Sequence, residues 1–274
     1  MIRAKRINNR AARITGVALI AALAIPALFA PWVTGGDLGN VVGAPLAEAT
    51  RELPLGLDNL GRDMAARLMW SARISLFVSL AATALAFSFG VAGGVIVAVL
   101  GGWVDKIGNR VVDLFMALPP LIFALVILSV AGTSVTILIV TAALMSATRF
   151  YRIARTLAAN IVAQPYFEAA AARQESLYWL CVHEVLPNIV KPLLAQVGLQ
   201  LCNAVLLVAS LGFLGFGLPP PMTDLGTVVR ENAPALGFGL WAPLFPAATI
   251  ALFVTGINLL VDAASDVRSR SASN

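Results

Sequence analysis

Charge is scarce in this sequence: Asp, Glu, Lys and Arg make up 12% of it, one histidine is present, and the two cysteines, Cys181 and Cys202, form no CxxC pair. Each shortage excludes a class of chemistry. A soluble domain carries about a quarter of its residues as charges, so most of this surface is not built for water. Two separated thiols signal neither a disulfide framework nor a zinc site. The one histidine, His183, stands beside Glu184. Adjacent helical positions point in different directions, which suits a solvated pair rather than a catalytic one. No GxxxxGK[ST] phosphate loop occurs in the chain, so any nucleotide hydrolysis is expected of another polypeptide. No enzyme-type constellation is expected.

What is abundant is apolar: 59% of the 274 residues are hydrophobic and the mean hydropathy is +0.87. One core cannot bury that much, and the surplus has to face lipid. The net charge of +5 comes from basic residues scattered between apolar runs without interleaved aromatics, which argues against nucleic acid as a partner.

The uncharged runs place the spans. After a basic cytoplasmic segment, 1–13, Ile14–Val33 is long enough to cross a ~30 Å hydrocarbon layer. Ala27-Leu28-Phe29-Ala30 is a poor leader-cleavage site, so this run is read as a membrane helix. A polar, Gly- and Pro-rich external segment, 34–73, follows, with the acids Asp37, Glu48, Glu52, Asp58 and Asp63. A core of five further helices occupies 74–262. Its first run, Ile74–Val104, would be about 45 Å long as one helix. Ala81, Ala82, Ala84, Gly90, Gly93 and Gly94 suit it to close helix approach. A polar break (Asp105, Lys106, Asn109, Arg110, Asp113) precedes Leu114–Thr148, which is split at Gly132-Thr133-Ser134 into two spans. Pro192–Gly217 and Trp241–Val261 complete six, and 263–274 is the tail. The fold class is therefore an all-α integral membrane protein.

Orientation follows the basic residues. With the N-terminus cytoplasmic, fourteen of the 19 lysines and arginines fall inside and five outside. Both termini are then cytoplasmic. No ionisable residue interrupts a run except Asp262 at the end of the last. An ion-coupled secondary transporter needs such groups at mid-membrane and is disfavoured.

The longest inside connection is Arg149–Lys191. Pro165 suits a first helical turn, Glu168 suits the positive helix end, and Ala169–Ala172 are strong helix formers. Pro187 is expected to terminate the element. One reading is a surface connector; the other is a docking helix with an alanine face and polar contacts from Arg173, Gln174 and Glu175.

At these residues the sequence resembles the permease subunits of ATP-binding-cassette importers. Glu168-Ala169-Ala170 and Leu186-Pro187 match that family's cytoplasmic EAA motif in identity and spacing. Leu55 to Asp63, continuing through Ala72 to Leu76, and Leu211 to Gly217 with Pro220-Pro221 resemble the dipeptide, oligopeptide and nickel branch. The resemblance implies a type I permease fold with a cytoplasmic coupling helix in the bacterial inner membrane. It implies as partners a second permease of the same fold, two ATP-binding subunits and an external solute-binding protein. It implies no cofactor in this chain, ATP and magnesium being held by the ATPase subunits. The expected cargo is di- or oligopeptide, with nickel or a metal chelate as the alternative.

The sequence departs from the family where Gln174 replaces the motif glycine, which would turn the chain with φ > 0. Either the helix runs on or the turn is strained. The Arg-His pair usual before Leu-Pro is displaced to His183 and Glu184, and the Trp usual before Gly226 is Leu225. Two other groups carry alternative readings. Asp58, Asn59, Gly61, Arg62 and Asp63 form either a capped turn or an external interface. Gly212, Gly215 and Gly217 are read as helix-packing positions rather than ligands of cargo.

Overall fold

The computed structural model describes residues 9–35 and 39–271; Arg3, Lys5, Arg6 and Asp37 lie outside them. In chain order the helices are α1 (Asn9–Thr34), α2 (Met64–Leu100), α3 (Gly102–Ala117), α4 (Pro120–Ala131), α5 (Val135–Val162), α6 (Pro165–Ala172), α7 (Leu177–Trp179), α8 (Leu186–Leu211), α9 (Leu225–Asn232) and α10 (Leu244–Ser271). A π-turn at Leu180–Val185 joins α7 to α8, so Leu177–Leu211 is continuous, and a second turn at Gly212–Phe216 carries it to a kink at Gly215. Among the described residues, five helices are long and apolar enough to cross a membrane, and α3 with α4, bent by 87° between them, makes up to six. This matches the expected all-α fold with about six spans.

The centre of the bundle is α2 against α5. On α2, Ala82, Ala86, Gly90 and Gly94 recur every fourth position and are buried. That stripe lets two backbones approach closely where lipid provides no hydrophobic drive between helices. A Cβ on Gly90 would lie 2.6 Å from the Ala147 carbonyl oxygen, and one on Gly94 2.5 Å from that of Tyr151. The two indices rise together, so α2 and α5 run parallel. Parallel neighbours require the intervening chain to return to the starting end of the bundle, which it does between Leu100 and Val135. Phe150 fills the seam edge-on to Phe87, with ring centroids 5.4 Å apart. Of the small residues expected to pack, Ala82, Gly90 and Gly94 do so, while Ala84 is exposed.

Several boundaries differ from expectation. Helix α2 begins at Met64, not Ile74, because Asp63 caps it, its carboxylate accepting from the Ala65 N–H at 2.9 Å. Arg67 and Arg73 then lie on the helix. Arg67 is neutralised by the buried Asp58 carboxylate and the half-buried Glu231, and Arg73 lies 5.5 Å from the Trp70 ring centre. The break at Gly132-Thr133-Ser134 occurs where expected, with Gly132 at φ 81 and Ser134 capping α5. A second break, at Leu118-Pro119, was not expected; the residue before proline is extended (Leu118 ψ 134), which stops α3.

Pro187 does not terminate its element. It sits in the first turn of α8, inside the continuous helix. The π-turn just before it widens the backbone where a proline ring would otherwise meet the carbonyl four residues back.

Candidate functional site

Helix α6 stands at the end of the bundle where α2 and α5 finish. Pro165 occupies its first turn and Glu168 its N-terminal turn, where the helix dipole favours a carboxylate. Phe167 and Ala170 are buried at 5% and 0% exposure, in the same cluster as Ala154, Ala158, Leu180, Cys181 and Val185. Their i, i+3 spacing puts both on one face. The opposite face is free: Glu168, Ala169, Ala171, Ala172 and Arg173 are exposed. Of the Glu-Ala-Ala triplet, the last residue is therefore an anchor and the first two are presented outward.

The chain then turns at Gln174, whose φ is 57. The turn is kept without the glycine, at a strain cost on the order of 1 kcal/mol for a side-chain-bearing residue. Ser176 caps the next helix by accepting from the Trp179 N–H at 3.2 Å. His183 stacks on Trp179 with centroids 5.5 Å apart and planes 17° from parallel, and the Arg173 guanidinium lies 5.8 Å from the Trp179 ring centre. Arg173 also reaches Glu175 at 3.4 Å, an exposed contact of little energetic weight. Gln174, Leu177, Tyr178, His183 and Pro187 are exposed around this pile, while Leu186 and Glu175 are half-buried. Beside it a cleft of about 470 Å³ separates α2 from the 177–186 helix, lined by Phe87, Val91, Val95, Cys181 and Leu186 among others. The structure thus gathers Glu168, Ala169, Arg173, Gln174 and Glu175 on one surface. It gives Leu186 and Pro187 a place in the adjoining helix.

The other end of the bundle is built in the opposite way. Asp58 is fully buried, and its carboxylate accepts from the backbone N–H groups of Leu60 and Arg62, both at 2.8 Å. It also binds Arg62 Nε at 2.8 Å and Arg67 Nη1 at 2.6 Å. Both arginines continue to Glu231 Oε2, at 3.0 and 2.7 Å. Asn59 donates from its backbone to Asn232 Oδ1 at 3.0 Å, and its side chain donates to the Glu231 carbonyl. Burial pushes the Asp58 carboxyl up, but the Arg62 and Leu60 amides and the Arg62 guanidinium outweigh it and hold the pKa below the ordinary 3.8. Gly61, at φ 74, lets the Gly43 backbone pass: a Cβ there would sit 2.2 Å from the Gly43 carbonyl oxygen. Asp58, Asn59, Gly61, Arg62 and Asp63 thus hold the segment before α2 to α2 and α9. A polar pocket of about 540 Å³, lined in part by Glu52, Arg62, Asp63 and Arg67, opens beside them.

Asp224 completes this end. It is buried and caps α9, accepting from the Thr227 N–H at 3.0 Å, Thr227 Oγ1 at 2.6 Å and the Leu218 N–H at 3.3 Å. Gly212 and Gly217 make room for it. A Cβ on Gly212 would lie 1.9 Å from Asp224 Oδ1, and one on Gly217 2.1 Å from Thr227 Oγ1. What packs on these glycines is a capping carboxylate and hydroxyl, while Gly215, at φ 93, bends the chain out of the helix. Arg67, Glu231 and Asp224 were not singled out from the sequence. The signal that exists is the company of seven carboxylates and five arginines, without a lysine, in the two connections 34–73 and 218–240.

A multi-pass helical membrane protein with a projecting helix at one end of its bundle is the class this geometry defines. Residues 90–273 match the family described as the binding-protein-dependent transport system inner membrane component, and the chain belongs to that family. A dipeptide transport system permease protein of Alkalihalophilus pseudofirmus is 29% identical over 96% of this chain and 86% of its own length. A putative peptide permease protein of Brucella ovis is 36% identical over 77% and 70%. A dipeptide transport system permease protein of Haemophilus influenzae is 31% identical over 77% and 72%. The alternative of a nickel or metal-chelate permease draws no support from these relatives.

Proposed function

We propose that this chain forms half of the translocation pathway of an ATP-driven importer of di- or oligopeptides. A second permease of the same fold supplies the other half, and an extracytoplasmic binding protein delivers the cargo. Two ATP-binding subunits hold ATP and magnesium and dock on the α6 surface, which faces the cytoplasm together with both termini. Membership of a binding-protein-dependent family supports the division of labour, and the names of the relatives support peptide as cargo.

The observation that carries the reading is the two-faced character of α6. Phe167 and Ala170 fix it to the bundle while Glu168, Ala169, Ala172 and Arg173 project from it. A helix anchored in that way passes a push on its outer face to the ends of α5 and α8 rather than absorbing it. Closure of an ATPase pair against this face would so reach the membrane helices on either side.

The test is purification of the tagged chain from its native membrane in mild detergent, with and without Glu168→Lys and Ala172→Trp. Co-purification of a second permease and of ATP-binding subunits, with only the latter lost from the variant, is the expected result. Recovery of the chain alone, still supporting uptake that follows an ion gradient in liposomes, would overturn the proposal.

A further inference from the structure

Helix α3 is the one long helix whose described side chains include no buried residue. It is nonetheless well ordered in pattern. Placed on a helical wheel, Trp103, Val104, Ile107, Val111 and Leu114 share one side, and all five are exposed, Trp103 at 77% and Leu114 at 71%. Lys106 and Arg110 border that apolar arc along one edge and are exposed as well. The far side is fixed to the protein. Asp105 forms a two-pronged pair with Arg155, at 2.6 and 2.5 Å. Asp113 meets Arg152 at 2.6 Å, and Gly108 lies against Tyr151 and Val97. The acids of α3 are therefore spent on α5, and its two bases are not: among the described residues neither Lys106 nor Arg110 makes an ion pair. Lys106 Nζ instead lies 5.1 Å from the Trp103 ring centre.

The direction of the helix points to what covers this face. The 87° bend at Leu118-Pro119 turns α3 almost perpendicular to α4, which begins the return across the bilayer. Helix α3 consequently runs along the membrane plane, level with the ends of α2 and α5 and on the same side as α6. An apolar arc bordered by a lysine and an arginine, with a tryptophan at its start, is the composition of a helix lying between acyl chains and headgroups. We propose that α3 is an interfacial helix that buries its Trp103–Leu114 face in the lipid on the α6 side and binds anionic phospholipid through Lys106 and Arg110. The chemistry recognised is the headgroup phosphate of a bilayer lipid. The surface does not serve as a contact with another protein chain.

The proposal needs only a membrane around the chain, and its readouts do not involve transport or ATPase partners, so it stands or falls separately from the proposed function. The full-length chain is reconstituted in nanodiscs containing phosphatidylglycerol or only phosphatidylcholine, and lipid retained after transfer to detergent is counted by native mass spectrometry. Lys106→Gln with Arg110→Gln is expected to lower the preference for phosphatidylglycerol by roughly 10–30-fold, and Arg51→Gln, an exposed base in the external segment, to leave it unchanged. In parallel, phospholipid brominated near the headgroup end of its chains is expected to quench a component of the tryptophan fluorescence that Trp103→Phe removes. An unchanged lipid preference in the double variant would overturn the assignment of the headgroup contacts. Identical quenching in wild type and Trp103→Phe would show that the face is covered by something other than lipid and overturn the proposal as a whole. If the double variant does not fold, Arg110→Gln alone and the quenching pair carry the same decision.

Discussion

The two ends of the bundle use the same kinds of side chain for opposite purposes. At the end opposite α6, Asp58, Arg62, Arg67 and Glu231 form one closed set of ion pairs, with Asp58 at 0% and Arg67 at 3% exposure. At the α6 end Glu168, Arg173, Gln174, Tyr178 and His183 stand exposed on the 165–187 segment, whose one described ion pair is the long Arg173–Glu175 contact. Buried charges that satisfy one another hold a chain to itself. Exposed ones arranged over an anchored helix leave their bonding capacity for a neighbour. Position in the sequence does not separate the cases, since both are polar connections between spans. Burial does.

The sharpest way to break that contrast is at Arg67. Arg67→Met leaves Asp58 buried without its closest guanidinium, and removing one member of such a pair typically costs about 3–5 kcal/mol. Thermal unfolding of the purified chain in detergent is expected to show it, whereas Arg173→Met at the opposite end is expected to shift unfolding by no more than about 0.5 kcal/mol. The same site sets a pH dependence. Because the folded pKa of Asp58 lies below 3.8, its contribution is complete well above that value and is lost as pH falls through the lowered folded pKa. Acid unfolding followed from pH 5 to 2 is expected to lose this component in Asp58→Asn, which is less stable at pH 5 but less sensitive to acid.

Next in size is the seam between the two ends. Gly94→Val drives side-chain atoms into the Tyr151 carbonyl region of α5, and overpacking of this kind costs about 1–3 kcal/mol. Loss of folded protein in a detergent thermostability assay is the expected outcome, with Gly93→Val milder because its nearest neighbour is the Tyr151 ring at 3.5 Å. Smaller still is Gln174→Gly. Relieving a left-handed side-chain residue is expected to stabilise the chain by about 0.5–1 kcal/mol, without loss of coupled ATP hydrolysis if the turn, rather than the glutamine, is what the partner meets. Glu168→Lys is expected to change stability least, within about 0.5 kcal/mol, and to abolish ATP-dependent uptake by the assembled transporter.

Much of the fold was legible in residue order because lipid imposes length and apolarity on every span. The break at Gly132-Thr133-Ser134 was readable from its turn residues, and α6 from Pro165, Glu168 and its alanines. What escaped is what depends on partners distant in sequence. The start of α2 at Met64 was hidden by Arg67 and Arg73, which look like loop charges until Asp58 and Trp70 are seen beside them. Pro187 looked like a stop signal because the π-turn that accommodates it has no sequence signature of its own. The segment from Asp105 to Asp113 read as a polar break, since Asp105, Lys106, Asn109, Arg110 and Asp113 fall within nine residues; only the pairing with Arg155 and Arg152 shows that it belongs to an amphipathic helix. At the candidate site, Glu168 to Glu175 were identified from sequence, but which of them face outward followed only from Phe167 and Ala170 being the anchors.

The contrast between the ends is tested most directly by cross-linking in the assembled transporter. Cys181 and Cys202 are buried, so a short thiol-reactive cross-linker will report on cysteines introduced singly as Ala172→Cys at the α6 end and Leu60→Cys at the opposite end. The expected result is an adduct between Ala172→Cys and an ATP-binding subunit, weakened or strengthened by nucleotide, and none with that subunit from Leu60→Cys. An ATP-binding subunit captured from Leu60→Cys, or from neither position while uptake remains ATP-dependent, would contradict the assignment of α6 as the docking surface.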